Sequence, residues 1–359
     1  MPIGTGYSGI AVVGDRLFTM DADGETEFAL CLDAATGREL WRTPIGPRFE
    51  SYFGNGPRST PTVDGDRVYV LGGRGRLAAL AAGDGTLLWS LDYPEAFGST
   101  VPEYGFSSSA LVAGELLIVQ PGGDEGRAVA ALDKRTGEVR WTAHQDAAGY
   151  SSPLAVEIEG RRQFVFMTPK SLLGVSPDGE VLWARPFAPE EDIKPAMPIF
   201  VPPDLLFFSA GYDVGAVALR LAVDGGTVVA REVWRQRVMR NHFNASVAVG
   251  DYIYGFDNST LKCIRAETGE ELWAKRGGLG KGSLIHADDH LIVLAESGRL
   301  LLVETTPDGY REIARHQVLS GRCWTSPTLS AGRLFVRNRA ELVCLDLRRG
   351  PPPVPAPVR

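Results

Sequence analysis

Short apolar segments closed by turns recur along the whole chain, and their alternation of apolar and polar positions is typical of β-strands. The segment RSTPTVDGDRVYVLGG begins at Arg58, and related segments begin at Ser107 and Tyr150 and near Tyr7, Ala196, Phe243, Gly282 and Trp324. Each contains a short strand, a glycine turn and a strand of β-branched and aromatic residues. No stretch shows sustained 3.6-residue periodicity, so the pattern predicts an all-β protein.

A second motif alternates with the first and predicts a tight hairpin that leads into an outer strand. Its clearest copies read LDAATGRELW, LDKRTGEVRW and IRAETGEELW. We expect the glycine to take the positive φ that closes the hairpin, and the large indole to pack against the next sheet. The residues given these structural roles are Trp41, Trp89, Trp141, Trp183, Trp234 and Trp273, with Gly37, Gly85, Gly137, Gly179 and Gly269.

The spacing of the tryptophans predicts a β-propeller. They recur about every 46 residues, and four-stranded units of about that length, repeated in a ring, form propeller blades. The 359 residues hold eight such units. We therefore predict an eight-bladed β-propeller of four-stranded antiparallel blades as one domain over residues 1–350, followed by a flexible Pro-rich tail over 351–359.

The eighth unit differs from the others because no outer tryptophan strand follows CLDLRRG. We predict an incomplete last blade over residues 323–347. Its outer strand would come from sequence upstream of residue 1 or be absent. A ring of seven blades with an irregular terminal cap is the alternative.

Charge and composition exclude several partners. The net charge is -7 and no basic run occurs, which argues against nucleic-acid binding. No apolar run is long enough to predict a transmembrane segment. The first residues lack the features of a signal peptide, so the protein is cytosolic or the sequence starts downstream of its natural beginning. We expect a monomer.

Cysteine and histidine are scarce, with four and five residues in the chain, and we predict no metal site. Cys31, Cys263 and Cys344 occupy equivalent positions in three copies of the repeat, so they should lie far apart. We expect these residues and Cys323 to be buried free thiols.

Candidate binding residues follow from the propeller prediction, because ligands bind propellers at one face, around the end of the central channel. The residues just before the predicted inner strands are the candidates there. They are Arg58, Tyr150, Lys194, Asn241, His242, Lys281, Arg322 and Trp324. The alternative is a solvated rim held by turn residues.

Two long loops add further candidates. The loop 46–58 carries Arg48, Glu50 and Tyr52, and the loop 92–104 carries Tyr93, Phe97 and Tyr104. Aromatic residues interleaved with charges suit contact with a partner or a sugar, and together the loops would form an aromatic wall. The alternative is that the first loop packs its aromatics beneath itself. No catalytic residue can be assigned.

The repeated ALDxxTGxxxW and SxPxVxGxxVYV patterns resemble those of PQQ-type (pyrroloquinoline quinone-like) β-propeller repeat proteins over residues 7–346. Within that superfamily the chain resembles PQQ-binding-like repeat proteins of planctomycetes, similar in fold to the BamB lipoprotein of outer-membrane assembly. The resemblance implies a non-catalytic platform for a protein or a cell-envelope polymer, located in the periplasm or cell envelope.

Two alternatives come from the same superfamily. One is an oxidoreductase that binds PQQ and calcium, and the other is a carbohydrate-binding or carbohydrate-active propeller. Quinoprotein dehydrogenases typically carry an adjacent Cys-Cys pair over the quinone, and this chain has no such pair and no CxxCH haem motif. We therefore expect no cofactor.

Overall fold

The computed structural model describes residues 1–187, 196–211 and 213–348. The chain forms eight antiparallel sheets, which we number as blades 1 to 8 in chain order. First strands of neighbouring blades contact each other at most junctions, and the first strand of blade 8 contacts that of blade 1, so the sheets close into a ring. The predicted eight-bladed β-propeller is confirmed, and the seven-bladed alternative is wrong.

The strands of each blade follow one another from the channel outwards. Blades 1 to 4 consist of β1 (Ala11–Val13), β2 (Arg16–Asp23), β3 (Thr26–Asp33) and β4 (Glu39–Pro47); β5 (Thr62–Asp64), β6 (Arg67–Leu71), β7 (Arg76–Ala81) and β8 (Leu87–Asp92); β9 (Leu111–Ala113), β10 (Leu116–Val119), β11 (Val129–Asp133) and β12 (Val139–Ala143); β13 (Leu154–Ile158), β14 (Arg161–Met167), β15 (Ser171–Val175) and β16 (Val181–Pro186).

Blades 5 to 7 are also four-stranded, whereas blade 8 has three strands. They consist of β17 (Ile199–Val201), β18 (Leu205–Ala210), β19 (Gly215–Asp224) and β20 (Thr227–Gln236); β21 (Val247–Val249), β22 (Tyr252–Asp257), β23 (Thr260–Arg265) and β24 (Glu271–Lys275); β25 (Ser283–Ala287), β26 (His290–Leu294), β27 (Arg299–Glu304) and β28 (Glu312–Gln317); β29 (Thr328–Ser330), β30 (Arg333–Arg337) and β31 (Leu342–Asp346).

The turns between third and fourth strands have the predicted chemistry. In blade 1 the Asp33 carboxylate accepts N–H bonds from Ala35 and Thr36 at 3.1 and 2.8 Å, and Gly37 has a φ of 72°. Asp133 accepts the equivalent bonds in blade 3. These side-chain bonds replace main-chain partners that a sharp turn cannot supply.

The tryptophans join neighbouring blades, and five of the six do so with an indole hydrogen bond to the next blade as well as by packing. Trp41 Nε1 donates to the carbonyl of Ala82 in blade 2 at 3.1 Å, and the same contact to the next blade recurs from Trp89, Trp141, Trp234 and Trp273. Trp183 differs, since its indole N–H donates to Gln163 within its own blade. We call the five contacts between blades the tryptophan seams.

Blade 8 has an outer partner that the sequence analysis did not assign. Ile3 N donates to Ala340 O at 2.9 Å, Leu342 N donates to Met1 O at 3.0 Å, and Pro2 is bridged to Glu341. The described sheet of blade 8 nevertheless has three strands, and its contact with the first residues is an isolated bridge. The first residues of the chain pair with its last described strand.

Burial differs among the cysteines, and the expectation that all four are buried is wrong for Cys344. Cys31, Cys263 and Cys323 are buried, and Cys344 is exposed. Cys31 and Cys263 face Trp41 and Trp273 on the adjoining outer strands. Cys344 lies on β31, where no tryptophan strand follows.

The loop after β8 contains one helical turn, α1 (Tyr93–Phe97), which the strand pattern did not predict. Tyr93 and Phe97 are buried, and the Tyr93 ring lies edge-on to Phe106 with 5.3 Å between centroids. Tyr93 and Phe97 therefore belong to the core, and they are not part of the predicted aromatic wall.

Candidate functional site

The chain enters every blade at the same end of the channel, and the approach to each inner strand alternates between two environments. In six of the eight blades the residue three places before the inner strand is buried in the blade, namely Ser8, Ser59, Ser108, Ser151, Ala196 and Thr325. The residues two places before the inner strand line a cavity in every blade, and the described residues four places before it do so in six, because successive side chains of an extended segment point in opposite directions.

This cavity has a volume of about 590 Å³, and all eight blades contribute to it. We call it the mouth cavity. Four places before the inner strands lie Tyr7, Arg58, Ser107, Tyr150, Phe243 and Trp324. Its size is typical of a ligand pocket, on the order of 300–1,000 Å³.

One half of the mouth cavity carries cations stacked on aromatic rings. The Arg322 guanidinium lies 4.3 Å from the Trp324 ring centroid, and Phe243 packs on Trp324 at 4.3 Å between centroids. The Lys281 ammonium lies 5.3 Å from the Phe243 ring. Such contacts hold cations over ring faces, where the ring quadrupole attracts them.

The arc continues across the closure of the ring. Tyr7 of blade 1 lies 5.4 Å from Trp324 of blade 8, and the Arg58 guanidinium lies 5.8 Å from the Tyr7 centroid. Burial lowers the pKa of Arg58 to about 10, and it also lowers the pKa of Lys281. The guanidinium of Arg58 is still charged at neutral pH. We call Arg58, Lys281, Arg322 and their three rings the cationic arc.

The other half is aromatic and its lining is uncharged among the described residues. Phe53 lies 5.5 Å from Tyr104, and Tyr104 lies 5.8 Å from Tyr150. Burial raises the pKa of Tyr150 to about 12, so its hydroxyl is a neutral hydrogen-bonding group. Met197 completes this side.

Glu296 is the one carboxylate in the described lining of the mouth cavity. It accepts the Trp324 indole N–H at 2.8 Å and the main-chain N–H of Lys281 at 3.0 Å. The carboxylate therefore fixes the position of the ring and of the lysine segment. Because three cations line the cavity with this single carboxylate, the described lining has an excess of positive charge, although the net charge of the protein is -7.

Six of the predicted residues line the mouth cavity. They are Arg58, Tyr104, Tyr150, Lys281, Arg322 and Trp324. Lys194 and the tail 351–359 lie outside the described residues.

Asn241 and His242 are buried beside the cavity. Asn241 Nδ2 donates to Phe256 O at 2.8 Å, and His242 Nε2 lies 2.7 Å from Asn258 Oδ1. Burial lowers the pKa of His242. These contacts shape the loop that carries Phe243 and place neither side chain on the cavity wall.

The remaining candidates lie on the loop 46–58, outside the cavity lining. Arg48 forms ion pairs with Glu50 at 2.7 Å and Glu25 at 3.2 Å. Tyr52 is 97% exposed, so the loop does not pack it beneath itself. Phe53, next to it, turns into the mouth cavity.

The sequence analysis did not propose Tyr7 or Glu296 as site residues. Tyr7 occupies the same position before an inner strand as Arg58 and Tyr150, so alignment of the repeats could have found it. Glu296 lies in the turn between β26 and β27. That turn reaches the same end of the channel because antiparallel strands reverse direction at each hairpin.

The described residues of the mouth cavity do not fit a quinone bound beside calcium. Calcium takes about 6–8 oxygen ligands, and the cavity supplies one carboxylate that already accepts two N–H bonds. Within the described ranges, no group of three or more His, Cys, Asp or Glu residues could hold a metal ion.

No described helix is long and apolar enough to cross a membrane.

Comparisons with known proteins agree with this architecture. The sequence profile of the family described as "Outer membrane protein assembly factor BamB" matches residues 5–100 and 25–275. BamB of Yersinia pestis is 22% identical over 348 residues, which cover 92% of this chain and 81% of that protein.

One further match covers only part of the chain, and another is a solved structure. The serine/threonine-protein kinase AfsK of Streptomyces griseus is 35% identical over 127 residues, which make up 35% of this chain and 15% of the kinase. The crystal structure of BamB from Moraxella catarrhalis superposes with a TM-score of 0.67 at 16% identity, covering 96% of this chain and 95% of that one. This last likeness concerns the fold alone.

Proposed function

The chain belongs to the family described as outer membrane protein assembly factor BamB, and on that premise we propose that it is a non-catalytic scaffold in the cell envelope. It binds a partner protein through the face that carries the mouth cavity. The fold supplies a rigid ring, and the loops of one end supply the contact surface. Neither quinone nor calcium takes part in this role.

Exposed apolar side chains around the mouth cavity carry this proposal. Tyr52 is 97% exposed, and Phe53, Met197 and Val101 are 37–40% exposed. Aromatic residues and methionine are enriched at protein interfaces, and clustered exposed apolar groups mark sites of interaction.

Site-specific crosslinking tests the proposal. A photo-reactive phenylalanine analogue replaces Tyr52 in the protein expressed in its source organism, and the matched control replaces Val13, which is 52% exposed at the β1–β2 hairpin. We expect a discrete crosslinked product containing an envelope protein from position 52 and none from position 13. Equal products at both positions, or none, would contradict the proposal.

Carbohydrate binding is a second candidate, favoured by the ring series of Phe53, Tyr104 and Tyr150. Sugars stack on exposed ring faces. Thermal-shift measurements with soluble glycans, and separately with quinone plus calcium, distinguish the candidates. A rise in melting temperature at micromolar glycan supports the second candidate. A rise that is specific to quinone overturns the scaffold proposal.

A further inference from the structure

The two halves of the mouth cavity differ in chemistry, and this difference identifies a class of ligand. We propose that the mouth cavity binds an acidic, aromatic segment of a protein in extended conformation. Its carboxylates pair with Arg58, Lys281 and Arg322, and its aromatic side chains pack against Phe53 and Tyr104. The inference deepens the proposed scaffold function and rests on it.

The charge balance of the cavity carries the first step. Three cations face one carboxylate in the described lining, and that carboxylate already accepts N–H bonds from Trp324 and Lys281. In the described parts of the chain, the guanidinium groups of Arg58 and Arg322 contact main-chain carbonyls and aromatic rings, and neither forms an ion pair. Carboxylates of a ligand would therefore find these two guanidinium groups without a competing ion pair among the described residues.

The rigidity of the cations carries the second step. Arg58 donates to Gly54 O at 2.7 Å and lies 4.8 Å from the Phe49 ring centroid. Arg322 reaches Phe53 O at 3.4 Å while it stacks on Trp324. Because both guanidinium groups are already held in place, these two side chains lose little conformational entropy when a ligand binds.

Hydroxyl groups on the cavity wall favour a peptide backbone as the body of the ligand. Ser109 Oγ accepts the Thr60 N–H, and Ser152 Oγ accepts the Ser109 N–H, both at 2.8 Å. Each hydroxyl keeps its own proton for donation. Main-chain carbonyls of an extended segment provide the matching acceptors.

The arrangement favours a protein segment over a nucleic acid. The cations lie together in one half of a cavity on the channel axis. A nucleic acid, with phosphates repeated along its backbone, is bound by an extended row of cations. An extended peptide places alternate side chains on opposite sides. Carboxylates on one side and aromatic rings on the other would match the two halves of the mouth cavity.

Fluorescence anisotropy with purified protein tests the inference. The probe is a fluorescein-labelled hexapeptide of alternating glutamate and phenylalanine, and its control carries glutamine in place of glutamate. We expect the glutamate peptide to bind at least about tenfold more tightly, since ion pairs in a partly desolvated site are charge-assisted. Its affinity should fall as salt rises. Equal affinity for the two peptides would overturn the inference.

Matched variants locate the binding. Arg322→Glu and Lys281→Glu should each weaken the glutamate peptide about tenfold or more and leave the glutamine peptide unchanged. Arg162→Glu makes the same change of charge on β14, at an exposed position away from the mouth cavity, and should have no effect. Arg322→Gln, a smaller perturbation, should weaken binding less than Arg322→Glu. An equal loss in Arg162→Glu would contradict the location.

The two proposals fail separately. If crosslinking from position 52 persists while the peptides bind alike, the acidic-segment inference is wrong and the scaffold proposal stands. If the glutamate peptide binds selectively but position 52 gives no envelope partner, the scaffold proposal is wrong and with it the biological role of the peptide site.

Discussion

The contact between blades 8 and 1, which we call the closing seam, is built differently from the tryptophan seams. At three of the five tryptophan seams an indole packs on the turn glycine of the next blade; a Cβ added to Gly85, for example, would lie 2.6 Å from Trp41. At the closing seam the Met1 sulfur covers Gly37, 3.1 Å from the equivalent Cβ position. Among the described residues, no tryptophan of an outer strand takes part in it.

Arg337 supplies the main polar contact of the closing seam. It is fully buried on β30 and donates across the seam to Met20 O at 2.8 Å, Thr19 Oγ1 at 3.1 Å and Gly4 O at 3.3 Å. The comparison teaches that one ring uses two solutions. Neighbouring blades join through the packed indoles of outer strands, and the two ends of the chain join through one buried cation and an isolated β-bridge.

Removal of the buried cation should have the largest effect on stability. Arg337→Leu leaves several buried carbonyl and hydroxyl acceptors at the closing seam without a donor. We expect the free energy of unfolding to fall by about 4 kcal/mol, measured by urea denaturation. Arg333→Leu, on the same strand but partly exposed, is the control and should cost less than about 1 kcal/mol. Similar losses in both variants would contradict the role of Arg337.

An added methyl group at a tryptophan seam should have the next largest effect. Gly137 has a φ of 78°, and its added Cβ would lie 2.7 Å from the Trp89 ring. We expect Gly137→Ala to lower the free energy of unfolding by about 3 kcal/mol, from backbone strain and overpacking together.

Gly114→Ala isolates the packing part of that effect. Gly114 has a φ of 63°, and nothing lies within 4 Å of its added Cβ. This variant should lose about 1 kcal/mol, since it carries only the backbone strain. Equal losses at the two glycines would show that the indole contact contributes nothing.

Loss of one indole hydrogen bond should have the smallest effect. Trp234→Phe keeps a ring at the seam but removes the bond from Nε1 to Ala266 O, which is 2.8 Å long. We expect a loss of about 1 kcal/mol in the same denaturation experiment, with the peptide affinity of the mouth cavity unchanged. A change in that affinity would mean that the seam and the mouth cavity are coupled.

The fold could be predicted because each repeat contains the local motifs that specify its turns and outer strand. Asp33 and Gly37 specify their turn through local hydrogen bonds and a positive φ, and Trp41 recurs in later copies at nearly constant spacing. The residues just before the inner strands, such as Arg58 and Trp324, could be proposed by the same argument.

The site was harder to predict because its members are far apart in the chain. Asn241 and His242 have the same polar character as their neighbours, yet they are buried in loop contacts. Tyr7 meets Trp324 only because the ring closes. Local sequence does not indicate which polar residue faces the channel when a loop departs from the repeat.

The sequence by itself determined the β-strands, the turn chemistry, the number of blades and the end of the channel at which the residues before the inner strands lie, since all of these depend on short-range patterns. Only the tertiary structure decided how the ring closes, which cysteine is exposed and which cations share one half of the mouth cavity. Ring closure depends on contacts between residues more than 300 positions apart, such as Arg337 with Met20, and the other outcomes depend on how neighbouring blades pack. No periodicity within a single repeat encodes them.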